Sequence, residues 1–135
     1  MAKTKSKVRK LISKSRPAKS KAREDRILME IIVDCYGPEE QAMGWYYYLE
    51  GKLKFPFRAK CIAERVISPL REGDKVEVIE MAPEGDCQHE MFVAIRWENR
   101  TLGVPLSQLK GIAVDKDTKQ AIEDWHYWVQ QGYEF

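Results

Sequence analysis

A β-hairpin is predicted at residues 91–104, where the sequence reads MFVAIRWENRTLGV. Apolar side chains recur at every second position in its first half: Met91, Val93, Ile95 and Trp97. This period of two is typical of a strand with one face against a core. A tight turn at 98–100 then leads into a second strand at 101–104. Pro105 follows, and because proline has no amide hydrogen to donate to a neighbouring strand, we expect the chain to bend there.

Two more segments show the same alternation. Phe57, Ala59, Cys61 and Ala63 form one apolar face, and Val76 and Val78 form another after a turn at 71–74. Leu106, Leu109 and Ile112 suit a short 3₁₀ turn rather than a full strand. Four or five short strands, with a proline-bent turn before the last, predict a small SH3-like antiparallel β-barrel.

Helices are expected on both sides of these strands. Ile27, Leu28, Ile31 and Ile32 have helical spacing, which predicts a short helix ending before Gly37. A second helix should run from Pro38 to near Gly51, and a closing helix should begin at Asp117 or Thr118. Asp117 with Gln120 fits a capping box. The predicted fold class is therefore α+β: an SH3-like barrel flanked by N-terminal helices and a C-terminal helix.

The net charge of +2 conceals two opposed parts of the chain. Residues 1–23 contain ten Lys and Arg and no acid, whereas residues 24–135 contain 13 basic and 21 acidic residues, a net charge of −8. We expect a disordered basic tail at 1–23 and an acidic domain at 24–135. The tail could associate weakly with nucleic acid, whereas the acidic domain attracts cations.

Several classes of protein are disfavoured by composition. There is no apolar run of about 18 residues and no signal-peptide pattern, so we expect a cytoplasmic protein without membrane contact. The two histidines, His89 and His126, belong to no recognisable arrangement of nucleophile and base, which disfavours an enzyme. Three widely spaced cysteines match neither a disulfide framework nor the ligand spacing of a zinc site.

Carboxylates are the most informative side chains. They form three groups: Glu30, Asp34, Glu39 and Glu40; then Glu80, Glu84, Asp86 and Glu90; then Asp115, Asp117, Glu123 and Asp124. Calcium prefers such oxygen ligands, but no group has EF-hand spacing, because Met91 stands where the EF-hand loop after Asp86 would require glycine. Spacing alone favours a solvated acidic surface over a metal site.

Six segments carry a resemblance to a known family: IVDCYG (32–37), MGWYYYLE (43–50), FPF (55–57), GDKVEV (73–78), VPLSQL (104–109) and AIEDWHYW (121–128). In these stretches the chain resembles the CcbP-type calcium-binding family. The similarity spans about residues 27–135 and excludes the basic tail. The loop 84–88 carries fewer acids than is usual in that family.

The resemblance implies a small acidic cytoplasmic protein of bacterial type that binds calcium without EF-hands, as a buffer or regulator. Surface sites completed by water should have low affinity for calcium. Asp34 lies inside a matching segment and is the first candidate ligand. The predicted ligand sets are Asp34, Glu39 and Glu40 for one site and Glu84, Asp86 and Glu90 for another. Two alternatives remain open: an SH3-like module that binds a protein through exposed Trp and Tyr, and weak nucleic-acid association through residues 1–23.

Overall fold

The structure, a computed structural model, describes residues 17–135. Its helices are α1 (Lys21–Arg26), which continues as a π-helix (Ile27–Ile31), α2 (Pro38–Lys52) and α3 (Lys116–Gln130). Its strands are β1 (Phe57–Cys61), β2 (Lys75–Met81), β3 (Phe92–Trp97), β4 (Arg100–Pro105) and β5 (Leu109–Ile112). Two 3₁₀ helices, Glu84–Cys87 and Leu106–Gln108, lie between strands. The α+β class with an antiparallel sheet is confirmed.

The predicted hairpin is present as β3 and β4. Phe92 pairs with Pro105 at one end, and Trp97 pairs with Arg100 at the other. The turn residues Glu98 and Asn99 have φ values of 47° and 67°, the left-handed conformation that a type I′ hairpin turn requires at both positions.

The five strands form one sheet in the order β4-β3-β2-β1-β5. In this order β4 and β5 are the two edges, and no pairing joins them in the described part of the chain, so the closed SH3-like barrel is not confirmed. The predicted 3₁₀ turn after Pro105 is shorter than expected. Leu109 and Ile112 belong instead to β5, because residues 109–112 find a pairing partner in β1, where Cys61 lies opposite Leu109.

The N-terminal helix begins earlier than the sequence indicated. The Ser20 hydroxyl accepts a hydrogen bond from the Arg23 amide at 3.2 Å and caps α1, so this helix starts within the segment expected to be a disordered tail. The expectation for residues 1–16 lies outside the described residues. The cap predicted for the last helix is wrong: Asp115, not Asp117, accepts a hydrogen bond from the Thr118 amide, at 3.2 Å.

The core lies between the inner face of the sheet and helices α2 and α3. Trp45 of α2 is fully buried and meets Trp125 of α3 with 5.0 Å between ring centroids. Trp128 is buried as well, so these tryptophans cannot serve the protein-interaction alternative, although Tyr36 and Tyr47 are exposed. Among residues 17–135, no helix combines the length and the hydropathy that a membrane crossing requires.

Candidate metal site

The first predicted ligand set lies in the loop between the π-helix and α2. Asp34 adopts a left-handed backbone with φ of 60°, and the Tyr36 hydroxyl lies 3.5 Å from its Oδ1. Glu40 Oε1 accepts hydrogen bonds from the backbone amides of Tyr36 at 2.8 Å and Gly37 at 3.3 Å. Glu40 therefore satisfies free amides at the start of α2 and holds the loop that carries Asp34.

A close contact between two helical segments sets the position of this loop. A Cβ atom on Gly44 would lie 2.5 Å from the carbonyl oxygen of Ile31, so only glycine lets α2 approach the π-helix this closely. The loop joins these two segments over residues 32–37. Its geometry therefore depends on a packing contact at Gly44 as well as on Glu40.

The second predicted set lies on the 3₁₀ helix Glu84–Cys87 and just after it. Cys87 is fully buried, and its Sγ accepts a hydrogen bond from the Phe92 amide at 3.3 Å. Tyr46 of α2 donates to the Ala82 carbonyl at 2.7 Å. Contacts with β3 and α2 thus hold both ends of this loop, while Glu84 and Asp86 remain exposed to solvent.

A cleft of about 360 Å³ brings one carboxylate of each predicted set together. Its lining combines residues of α2 with residues of the 84–88 loop: Glu39, Ala42, Met43, Glu84, Gly85 and Gln88. Tyr47 donates a hydrogen bond from its hydroxyl to Glu84 Oε2, and this bond raises the pKa of Tyr47. The cleft thus offers two carboxylates and an amide oxygen, all hard oxygen donors of the kind calcium takes.

The remaining acids of the second set are placed elsewhere. Asp86 lines a different cleft, beside Ala82 and Gly103. Glu90 is paired with Arg65 through two hydrogen bonds, Nη1 to Oε2 at 2.8 Å and Nη2 to Oε1 at 3.1 Å. This two-pronged pairing satisfies both oxygens of Glu90 with a fixed positive charge.

The described residues supply only part of a calcium ligand set. Within residues 17–135, no three His, Cys, Asp or Glu side chains are grouped so that they could hold one ion. A calcium ion needs six to eight oxygens, so an ion between Glu39 and Glu84 would take most of its ligands from amide or backbone oxygens and water. The residues fit a weak, water-rich site.

The sequence did not reveal several partners of the carboxylates. Neither Tyr47 nor Arg65 was assigned a contact with an acid, because each lies more than 20 positions from its partner in the chain. The third acidic group, which contains Asp124, was expected to form a solvated surface. Asp124 is instead fully buried and bound by two arginines. In the run of three tyrosines at 46–48, Tyr47 reaches the surface.

Comparison with known proteins identifies the family. The family model for CcbP, described as calcium binding, matches residues 25–129. The chain belongs to the CcbP family. The crystal structure of CcbP from Anabaena is 42% identical, with a TM-score of 0.79, covering 88% of this chain and 98% of that one. A calcium binding protein in its calcium-binding form is 41% identical, with a TM-score of 0.77, covering 87% and 96%.

These matches confirm the CcbP resemblance found in the sequence, and the family model covers residues 25–129. Comparison with curated proteins yields no match.

Proposed function

We propose that this CcbP-family chain binds calcium without EF-hands and acts as a low-affinity calcium buffer or regulator in the cytoplasm. The observation that carries the proposal is the 41% identity, over 87% of the chain, to a protein solved in a calcium-binding form. The excess of acids in residues 24–135 supports the same conclusion, since a net charge of −8 concentrates cations near the surface.

The cleft between α2 and the 84–88 loop is the proposed primary site. Glu39 and Glu84 supply the charge there, and Gln88 can add an amide oxygen. Gly85 has open space around its Cα, so the backbone at this point can come close to an ion. With only two carboxylates, the ion would keep several waters, which makes the affinity low and dependent on ionic strength.

Asp34 is the proposed ligand of a second position, in the loop between the π-helix and α2. Glu40 supports it by holding the loop, because its Oε1 accepts two backbone hydrogen bonds, and its second carboxylate oxygen can still bind an ion. Asp86 is exposed and remains a candidate ligand that would contact an ion through water. Glu90 leaves the proposed set, since a calcium ion would have to displace the guanidinium of Arg65 from both of its oxygens.

Calorimetric titration with calcium in excess magnesium tests the proposal. We expect calcium-specific heat from the unaltered protein, a several-fold weaker affinity in Glu84→Gln and Glu39→Gln, and a smaller loss in Asp34→Asn. Glu90→Gln is the matched control, because it removes the same charge from an acid that arginine occupies, and we expect it to leave calcium affinity unchanged.

Three results would contradict different parts of the proposal. No calcium-specific heat from the unaltered protein would overturn the calcium function itself. Full affinity in both Glu84→Gln and Glu39→Gln would overturn the cleft as the site while leaving the function in place. A loss in Glu90→Gln equal to that in Glu84→Gln would show that the acids act through overall charge rather than as ligands.

A further inference from the structure

Three lysines stand in a straight row across the solvent face of the sheet. Lys60 of β1 lies directly opposite Lys75 of β2 on one side and Lys110 of β5 on the other. All three are exposed, and they line a shallow cleft of about 310 Å³ together with Gly111 and Ile112. Because neighbouring strands are about 4.8 Å apart, the row spans roughly 10 Å from Lys75 to Lys110.

The next row on the same face is also mainly basic. It runs through Arg96, Glu77 and Arg58, which are paired across β3, β2 and β1. The one acid of this row, Glu77, already accepts a hydrogen bond from Arg96 at 3.2 Å. In residues 17–135, neither Arg58 nor any lysine of the lysine row makes a salt bridge.

The lysine row lowers the stability of the folded protein when nothing is bound to it. Like charges at directly opposite positions of an antiparallel pair destabilise it, and Lys60 has such a neighbour on each side. Lysine on an edge strand protects against unwanted strand pairing, which accounts for Lys110 on β5. That reason does not apply to Lys60, because β1 lies inside the sheet between β2 and β5. A bound polyanion would remove the repulsion.

The shape of the row matches a linear polyanion. A nucleic-acid strand carries one negative charge per about 3.4 Å along the axis of a duplex, so a stretch of roughly 10 Å presents three phosphates. The residues paired across these two rows include no aromatic side chain on which a base could stack. Contacts at this face would therefore go to phosphates and carry no sequence preference.

We propose that the lysine row Lys75–Lys60–Lys110 is a nucleic-acid contact surface that binds the phosphate backbone. Nucleic acid is favoured over an acidic protein segment because the same chain carries ten Lys and Arg in residues 1–23, a second phosphate-attracting segment. Lys110 extends the surface further, since it also lines a cleft with Lys119 of α3. The proposal is independent of the proposed calcium site in the cleft between α2 and the 84–88 loop.

Fluorescence anisotropy with a labelled DNA duplex, measured on the full chain at several salt concentrations, tests this surface. In a variant with Lys60→Gln, Lys75→Gln and Lys110→Gln together, the slope of log K against log salt should become shallower by about three. The matched control carries Lys52→Gln, Lys54→Gln and Lys116→Gln, three exposed lysines outside the row. It loses the same charge and should keep the original slope.

Equal slopes in the two triple variants would overturn the proposal. Labelled polyglutamate provides a second probe: if it binds as tightly as the duplex and with the same dependence on the lysine row, the partner is an acidic protein segment and the nucleic-acid assignment is wrong. Circular dichroism checks that both triple variants are folded. If one of them is not folded, the single variant Lys60→Gln replaces it, with an expected slope change of about one.

Discussion

Arg26 donates two parallel hydrogen bonds to the buried carboxylate of Asp124, from Nε to Oδ2 at 2.8 Å and from Nη2 to Oδ1 at 2.8 Å. Arg23 adds a third contact, from Nη1 to Oδ1 at 2.6 Å, and the Tyr48 hydroxyl adds a fourth at 3.1 Å. Asp124 has no exposed surface. This one carboxylate therefore connects α1, α2 and α3.

Replacing Asp124 with alanine should destabilise the protein strongly. The substitution leaves two partly buried arginines without their counter-charge, and breaking a buried ion pair in this way costs about 3–5 kcal/mol. Urea denaturation measures the loss. The control is Glu123→Ala on the same helix: its bond to Arg23, at 3.2 Å, is largely exposed, so the expected cost is below about 1 kcal/mol. Similar losses in the two variants would contradict the assigned role of Asp124.

Gly44→Ala and Gly51→Ala should change stability in opposite directions, although both lie in α2. The Gly44 variant forces its Cβ against the Ile31 carbonyl, and such overpacking costs about 1–3 kcal/mol. No atom lies within 4 Å of a Cβ on Gly51, so alanine there should stabilise the helix by up to about 1 kcal/mol. Thermal unfolding, monitored by circular dichroism, distinguishes the two variants. A stabilising Gly44→Ala would show that α2 and the π-helix can separate freely.

Stability should fall as the pH drops below about 6.5, in part because of His126. Burial lowers the pKa of His126, and its Nε2 has no hydrogen-bond partner among residues 17–135. The nearby backbone of Leu106 and Leu109 opposes that shift. The unfolded chain therefore takes up a proton at a higher pH than the folded chain does, which favours unfolding as the pH falls. One proton contributes at most about 1.4 kcal/mol per pH unit.

Denaturation midpoints between pH 7 and pH 5 measure this effect in His126→Gln and in the exposed control His89→Gln. Lys110, Lys119 and Glu123 line the same cleft as His126, so all comparisons are made at one ionic strength. The His126 variant should show a flatter dependence on pH than either the unaltered protein or the control. An unchanged dependence would mean that His126 takes up its proton at the same pH in the folded and the unfolded chain, so that burial does not lower its pKa.

Lys60→Gln should raise stability at low salt by about 0.2–1 kcal/mol, because it removes two like-charge neighbours at once. The gain should shrink at high salt, where exposed charges are screened. Lys116→Gln, at an exposed position on α3, is the control and should show no comparable gain. Denaturation of each variant at two salt concentrations provides the measurement, and a loss of stability in Lys60→Gln would contradict the repulsion that we infer in the lysine row.

Strands and helices were predictable wherever a local pattern decides them. The alternation through Val93 and Ile95 and the turn at Glu98 and Asn99 specify the hairpin from neighbouring residues alone. Ser20 is a local signal for the start of α1, since serine is favoured at helix N-caps, but the docking of this helix depends on Asp124, which holds Arg23 from 101 positions away. Likewise β5 depends on its pairing with β1, which no pattern within residues 109–112 reveals.

The same division applies to the candidate sites. The sequence by itself determined the α+β class, the family resemblance, the excess of acids after residue 23 and the absence of EF-hand spacing, since each depends on residue types and short spacings. Only the tertiary structure decided which charges meet. It placed Glu39 beside Glu84 in one cleft, paired Glu90 with Arg65, buried Asp124 between arginines and aligned Lys60 with Lys75 and Lys110. The physical reason is that contacts between distant charges depend on how helices and strands pack and register, which no local period in the sequence encodes.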